Sequence, residues 1–172
     1  MVNTVRHVLD DLGRIDVLVN NAGGGARMPA EQMPTETWDA VLQVNLTGTF
    51  LCAREVGRAM LDRGKGAIVN VASIMGLVGG GLYPNPAYQT SKGGIVNMTR
   101  ALALDWADRG VRVNAVAPTF AATPLTEGLL QEPGMTDAII DNTPLGRLVA
   151  PEEVAAMITG HTLPVDGGWT AR

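Results

Sequence analysis

The sequence predicts an α/β fold built on a doubly wound parallel sheet. Short apolar segments, typical of buried parallel strands, alternate with longer segments of helical periodicity along the 172 residues. Polar or glycine-rich residues follow the first two apolar segments, as in open α/β sheets whose ligands bind at the carboxyl ends of the strands. We therefore expect right-handed crossover connections and a binding site along that edge.

Four apolar segments are predicted to form neighbouring parallel strands: residues 16–20, 67–72, 111–117 and 163–166. Helices are predicted over residues 5–12, 35–62 and 87–109, with a further short helix from Pro151 to Gly160. Gly13 is placed to end the first helix. Asn85 is expected to cap the helix that begins at Pro86. Residues 118–147 are expected to form a loop with short helical pieces, a candidate lid over a site.

Composition and charge exclude several classes of partner. Thirteen basic residues against 17 acidic residues give a net charge of −4, and the basic residues form no block. Nucleic acid and anionic membranes are therefore not expected partners. One cysteine, Cys52, permits no disulfide within the chain, and no apolar run is long enough to span a bilayer. The sequence thus predicts a cytoplasmic protein, and no metal site is predicted.

Tyr88 and Lys92 carry the clearest chemical signal. Residues four apart on a helix lie on one face, about 5–6 Å apart at Cβ. A cation within roughly 4–6 Å of a phenol favours the phenolate and lowers its pKa from about 10 by about 1–3 units. The spacing therefore predicts that Tyr88 is a general acid or base whose pKa is lowered by Lys92. A surface pair without a chemical role is the alternative at this spacing.

Three other features have no evident structural reason. Two follow predicted strands, and the third lies within a predicted helix. The glycine-rich segment 20–25 follows the first strand and allows close approach of a ligand to the backbone. Ser73 follows the second strand. Asn45 lies in the middle of the helix predicted over residues 35–62, where asparagine is unfavourable.

Together these segments resemble the short-chain dehydrogenase/reductase family over nearly the whole chain. The matching motifs are Asn20-Asn21-Ala22-Gly23, Asn45 between Val44 and Leu46, Ser73, Tyr88 with Ser91-Lys92, Arg112-Val113-Asn114, Pro118 with Thr123, and Val165-Asp166-Gly167-Gly168. The family usually has glycine directly after the proline, where this chain has Thr119. The resemblance implies a Rossmann-like sheet and hydride transfer between NAD or NADP and a secondary alcohol or ketone.

The resemblance also implies a role for each matching residue. Tyr88 would donate or accept the proton, and Lys92 would lower its pKa and bind the nicotinamide ribose. Ser73 would hold the substrate oxygen, and Asn45 would anchor a water that relays protons to Lys92. Cofactor contacts are implied for Asn21, Ala22, Gly23, Tyr88, Lys92, Pro118 and Thr123.

Members of the family begin with a strand, a glycine-rich turn and a helix that receive the pyrophosphate, and these do not precede Met1. The resemblance therefore implies an N-terminally truncated, partial domain over residues 1–172. The strand at residues 16–20 would then expose an edge, through which we expect homo-oligomers or other self-association. A chain that keeps the catalytic residues but cannot bind a dinucleotide is the alternative to an active enzyme.

The segment Gly79–Pro84 is similar to that of family members acting on polyols and sugars, so a polyol or sugar substrate is expected. Reduction of a 3-oxoacyl thioester is the alternative. The sequence does not distinguish NAD from NADP.

Overall fold

The computed structural model describes residues 2–79, 81–154 and 162–165. Its centre is a parallel sheet of four strands in the order β1-β2-β3-β4. The strands are β1 (Val17–Asn20), β2 (Gly66–Val71), β3 (Val111–Pro118) and β4 (Thr162–Val165). The predicted parallel sheet and its four strands are confirmed; β1 and β3 differ from the prediction by one residue at one end, and β2 and β4 are shifted by one residue at both ends.

The helices are α1 (Val2–Leu12), α2 (Thr35–Leu42), α3 (Gly48–Arg63), α4 (Pro86–Trp106), α5 (Glu127–Leu130) and α6 (Met135–Asp141). Short 3-10 turns lie at Ala30–Gln32, Ile74–Gly76, Ala107–Arg109 and Pro151–Val154. The long helices are thus where they were predicted. Of the helix expected from Pro151, only the 3-10 turn is described, and its remainder and the Gly167-Gly168 pair lie outside the described residues. None of the described helices has the length and apolar character of a bilayer span.

The helix predicted over residues 35–62 contains a π-helical segment that periodicity did not indicate. Gln43–Thr47 joins α2 to α3 without a break, since Leu42 and Gly48 on either side keep right-handed helical angles. A π segment widens the helix by one residue per turn and occurs often at functional sites. Asn45 is the central residue of this segment.

The core lies on one face of the sheet. Ile68 of β2 is paired in register with Val113 of β3, and both are fully buried. Alternate strand residues face opposite sides, so Val111 shares their face. Both α3 and α4 pack here, in a cluster of Ala53, Val56, Met60, Ile68, Leu102, Ala103, Val111 and Val113. This packing fixes α4 against the strands whose carboxyl ends carry the site.

Two turns meet at the amino end of the sheet. Gly110 ends the Ala107–Arg109 turn with a φ of 80°, and its carbonyl accepts a hydrogen bond of 3.2 Å from the Gly66 N–H. A Cβ atom on Gly110 would lie 2.0 Å from the carbonyl oxygen of Gly64. Glycine is therefore required both by the left-handed backbone and by the close approach.

We expect Gly110→Ala to lower the free energy of unfolding by about 2–4 kcal/mol, because a backbone clash adds to left-handed strain. Gly13 is the matched control, since its φ is 72° but its Cβ would meet nothing within 4 Å. Gly13→Ala should lower stability by only about 1–2 kcal/mol. Urea unfolding measures both variants, and equal losses would contradict the clash.

Candidate active site

Ser73 and Tyr88 meet at the carboxyl end of β2. Ser73 begins the Ile74–Gly76 turn, and its Oγ accepts a hydrogen bond of 3.1 Å from the Met75 N–H. The Ser73 hydroxyl is close enough to the Tyr88 phenol to lower the pKa of Tyr88, and both residues line the same two cavities. The hydroxyl that the sequence placed at this edge and the phenol of α4 therefore line one space together.

Lys92 lies one helical turn after Tyr88 and is almost completely buried, with 4% of its surface exposed. Its Nζ donates a hydrogen bond of 2.6 Å to the Val71 carbonyl at the end of β2. The same atom is 5.6 Å from the centre of the Tyr88 ring. Burial lowers the pKa of Lys92 to about 8, because an ammonium loses its hydration. At pH 7 the side chain is still mainly charged.

The pKa of Tyr88 is shifted in the opposite direction to the predicted one, and burial is the largest cause. Burial raises the pKa of Tyr88 above its ordinary value of 10.0, and the nearby Ser73 hydroxyl only partly opposes this shift. The Lys92 ammonium faces the ring and is bonded to a carbonyl, so desolvation of the phenolate is the larger effect. Tyr88 is therefore a neutral phenol at pH 7.

The start of α4 is also different from the prediction at one residue. Pro86 occupies the first helical turn as expected, but the Asn85 side chain caps no helix N–H. Its Oδ1 instead accepts a hydrogen bond of 2.5 Å from Gln89 Nε2, a side-chain donor one turn along the chain. Asn85 is only 4% exposed and lines a cavity beside Tyr88.

Gly76 allows the turn after Ser73 to pack directly on α4. A Cβ atom on Gly76 would lie 2.5 Å from the carbonyl carbon of Lys92. Glycine therefore sets the distance between Ser73 and the helix that carries Tyr88. Sequence reasoning did not single out Gly76, although a glycine three residues after a strand-end serine was the available signal.

The fully buried side chain of Asn45 connects two segments of the site. Its Nδ2 donates to the Gly24 carbonyl at 2.8 Å and to Ser91 Oγ at 2.9 Å, and its Oδ1 accepts from the Gly24 N–H at 2.9 Å. Ser91 Oγ in turn donates to the Tyr88 carbonyl at 2.7 Å. These bonds explain an asparagine in mid-helix: it holds the glycine-rich loop against α4.

A buried chain of hydrogen bonds ties the ends of two strands to the same helix. Asn20 Nδ2 donates to Asn70 Oδ1 at 2.9 Å, and Asn70 Nδ2 donates to Thr99 Oγ1 at 2.9 Å. Thr99 completes the chain by donating to the Ile95 carbonyl at 2.8 Å. β1, β2 and α4 are thus fixed relative to one another at the level where the loops of the site begin.

Two cavities meet at the Ser73–Tyr88 pair. The smaller, of about 190 Å³, is also lined by Met75, Asn85, Phe120 and Leu129. The larger, of about 500 Å³, is lined by Lys92 and by residues of the loops after β1 and β3. The residues that line both are Ser73, Tyr88, Thr119, Leu125 and Thr126. This arrangement gives each of two cavities access to the same pair of hydroxyl groups.

Most of the residues expected to contact a cofactor belong to the larger cavity. Asn21, Gly23, Pro118 and Thr123 line it together with Lys92, whereas Ala22 is not among its lining residues. A Cβ atom on Gly23 would lie 3.6 Å from Lys92 Nζ. Gly23 therefore keeps open the space in front of the ammonium.

The segment after β3 is ordered by its own hydrogen bonds. Thr126 Oγ1 accepts from the Thr123 N–H at 3.0 Å and donates to the Ala121 carbonyl. Thr119, which replaces the glycine usual at this position, has a buried hydroxyl without a partner among the described residues. Thr119 lines both cavities, so this difference from the family pattern lies at their boundary.

The rim of the smaller cavity contains a charged group that sequence reasoning missed. Arg27 Nη1 donates to Glu132 Oε1 at 2.5 Å, and the guanidinium lies 5.6 Å from the centre of the Tyr83 ring. The ion pair joins the loop after β1 to the segment between α5 and α6. These residues are 105 positions apart, and no local pattern links them.

No group of three or more His, Cys, Asp or Glu side chains able to hold a metal is found among the described residues.

Comparison with solved structures supports the architecture. The gluconate 5-dehydrogenase of Burkholderia cenocepacia, solved in complex with NADP and tartrate, superposes with a TM-score of 0.93 at 31% identity. The match covers 99% of this chain and 71% of that one. The expected Rossmann-like parallel sheet is therefore confirmed.

Sequence comparison gives the family. A family model described as enoyl-(acyl carrier protein) reductase matches residues 1–170. The D-threitol dehydrogenase of Mycolicibacterium smegmatis is 42% identical over 176 residues, a match that covers 96% of this chain and 66% of the relative. The 3-oxoacyl-[acyl-carrier-protein] reductase of Synechocystis is 43% identical, covering 95% of this chain and 68% of the relative. The chain spans about two thirds of the length of these curated relatives, and it belongs to the short-chain dehydrogenase/reductase family.

Proposed function

We propose that residues 1–172 form the catalytic part of an oxidoreductase that transfers a hydride between NAD or NADP and a secondary alcohol or ketone. The observation that carries this proposal is the neighbouring Ser73 and Tyr88 hydroxyl groups at the boundary of two cavities, with the Lys92 ammonium behind them. Such an arrangement suits proton transfer to an oxygen in one cavity while a second molecule occupies the other.

In the reducing direction the Tyr88 O–H bond breaks and its proton passes to the carbonyl oxygen of the substrate. The Ser73 hydroxyl donates a hydrogen bond to the same oxygen and orients it. The Lys92 ammonium stabilises the phenolate that remains. Oxidation of the alcohol reverses each step. A neutral phenol and a charged ammonium at pH 7 are the protonation states that reduction requires.

The larger cavity fits the nicotinamide half of the cofactor, which supplies or accepts the hydride. Asn21, Gly23 and Thr123 would contact it, and Lys92 would bind the ribose hydroxyls. The absence of a side chain at Gly23 supports this assignment, because a larger residue would narrow the space in front of Lys92. The role of Asn45 in anchoring a relay water stays a proposal. Such a water would bind to the backbone of Asn45, because the side-chain amide is already bonded to Gly24 and Ser91.

A polyol or sugar is the substrate class that the smaller cavity supports best. Polar side chains of Arg27, Tyr83, Asn85 and Thr126 line it beside the hydroxyl pair. Hydroxyl-rich substrates need such partners, because polar groups that are buried unpaired are unfavourable. Relatives named as D-threitol dehydrogenase and galactitol 2-dehydrogenase are consistent with this class.

Reduction of a 3-oxoacyl thioester is the second candidate. The same cavity has an apolar side formed by Met75, Phe120, Leu125 and Leu129. Leu125 is 58% exposed at its mouth, where an acyl chain could extend. A relative of this activity is 43% identical.

Steady-state assays with a panel of polyols and a 3-oxoacyl thioester, each with NAD and NADP, test the proposal. Fluorescence titration with the reduced cofactors tests binding separately. Turnover of a polyol supports the first candidate. Binding of neither cofactor would instead support the alternative, a family member that keeps the catalytic side chains without activity.

We expect Tyr88→Phe to reduce turnover of the preferred substrate by about 10²–10⁴-fold, because no other described group is placed to supply the proton. Tyr83→Phe is the matched control, since it removes a second phenol of the same cavity. Turnover by that variant should fall by less than about tenfold, because it loses at most one hydrogen bond to the substrate. Comparable activity of Tyr88→Phe and the wild type would refute the assigned role.

The buried ammonium predicts a pH-dependent stability. Between the pKa of about 8 in the folded chain and the ordinary value of 10.5, the unfolded chain binds more protons at Lys92. The free energy of unfolding should therefore rise with pH in this window by roughly 1.4 kcal/mol per unit at most. Urea unfolding of the wild type and of Lys92→Met at pH 7.5 and about pH 9.5 isolates this effect. A constant difference between the two proteins would contradict it.

We also propose that the chain self-associates through the free side of β1. Among the described residues β1 pairs only with β2. Val17 and Val19 are 52% and 57% exposed on this strand. An exposed apolar strand edge offers unpaired N–H and C=O groups to another chain.

A lysine at Val19 should prevent this association, because a charge on an edge strand opposes pairing with a second strand. We expect sedimentation velocity to show concentration-dependent oligomers of the wild type and a predominantly monomeric Val19→Lys variant. Leu104→Lys is the control, since Leu104 is 83% exposed on α4, away from this edge. A wild-type chain that is monomeric at all concentrations would rule out the association.

A further inference from the structure

Asn85 contributes to the smaller cavity a polar group that the reaction described above does not use. The residue is 4% exposed and lines the cavity three positions before Tyr88. Its Oδ1 accepts a hydrogen bond from Gln89 Nε2. No acceptor for its Nδ2 group is found in the part of the chain that the structure describes. This donor is not among the fully enclosed unpaired atoms, so it is open to the cavity, where a bound molecule can supply the acceptor.

The bond to Gln89 also fixes the orientation of the Asn85 amide. The bond occupies the amide oxygen, so the amide nitrogen is the polar atom left to meet a molecule in the cavity. A donor held in one direction contributes more to binding than a mobile one, because less conformational entropy is lost. Gln89 is therefore a positioning residue for this donor.

Arg27 is the other strong donor at this cavity, but it is less suited to selecting a substrate group. Its side chain is 43% exposed and its charge is paired with Glu132. Water competes for an exposed guanidinium far more effectively than for a buried amide. Discrimination between substrates is therefore expected to depend on Asn85.

We propose that Asn85 is a specificity-determining residue that donates a hydrogen bond to a hydroxyl oxygen next to the reacting carbon. The substrate is then a vicinal diol, or the corresponding α-hydroxy ketone. This inference rests on the proposed function, in which Ser73 and Tyr88 hold the reacting oxygen. Asn85 directly precedes α4 and lines the same cavity as Ser73 and Tyr88, a placement that suits neighbouring oxygens of one small molecule. A cavity of about 190 Å³ also favours a compact substrate.

Butane-2,3-diol and butan-2-ol are matched probes, because they differ only in the second hydroxyl group. We expect the wild type to prefer the diol in kcat/KM, and Asn85→Ala to reduce the ratio of the two values by roughly 10- to 100-fold. Asn3→Ala, an exposed asparagine on α1, should keep the wild-type ratio. A folding defect lowers both activities equally and leaves the ratio unchanged. An unaltered ratio in Asn85→Ala would overturn the proposal.

A second measurement detects the contact without turnover. In ¹⁵N-labelled Tyr88→Phe protein with oxidised cofactor, the Asn85 side-chain amide resonance is assigned by its loss in the Tyr88→Phe/Asn85→Ala variant. The resonance should shift on addition of butane-2,3-diol and much less on addition of butan-2-ol. Equal shifts with both alcohols, or none, would overturn the proposal. If the wild type turns over neither alcohol, the result counts against the proposed function alone. The Asn85 contact is still tested by the resonance.

Discussion

The hydrogen bonds of Asn45 hold together the parts of the site that the sheet does not connect. The sheet and its core position Ser73 and α4, but the glycine-rich loop after β1 has no strand partner of its own. Asn45 receives and returns the backbone hydrogen bonds of Gly24 and also bonds to Ser91 on α4. Its own place in a π-helical turn shows that the helix geometry is adapted to this role. Without this side chain Gly23 would have no fixed position in front of Lys92.

The fold could be predicted from the sequence because its strands and long helices have strong periodicity and clear turn residues. Residues 16–20 and 67–72 were predicted as parallel strands and lie within one residue of β1 and β2, and Pro86 marks the start of α4. The strand-end rule placed Ser73 at the ligand-binding edge, and the family resemblance implied that Tyr88 acts on the same substrate oxygen. The π turn, the Asn85–Gln89 bond and the Arg27–Glu132 pair could not be predicted, because each depends on a side-chain orientation or on contacts between distant segments.

The pKa of Tyr88 shows why spacing alone does not determine chemistry. A phenol and an ammonium four residues apart are neighbours, and in water the cation would be the dominant influence. In this structure both groups are buried, so removal of water raises the pKa of one and lowers that of the other. Burial therefore keeps the phenol neutral but acts against the charge on the ammonium, which stays mainly protonated at pH 7 because its pKa of about 8 lies above that pH. The same loss of hydration thus favours the protonated phenol that carbonyl reduction uses and weakens the cation beside it.

Residues 118–126 supply walls to both cavities, and this has a consequence for the order and strength of binding. Thr119, Leu125 and Thr126 each face the two spaces at once. A molecule that moves or orders this segment from one side changes the walls met by a molecule on the other side. The two affinities are then thermodynamically linked, and the linkage is reciprocal: each ligand alters the affinity for the other by the same factor.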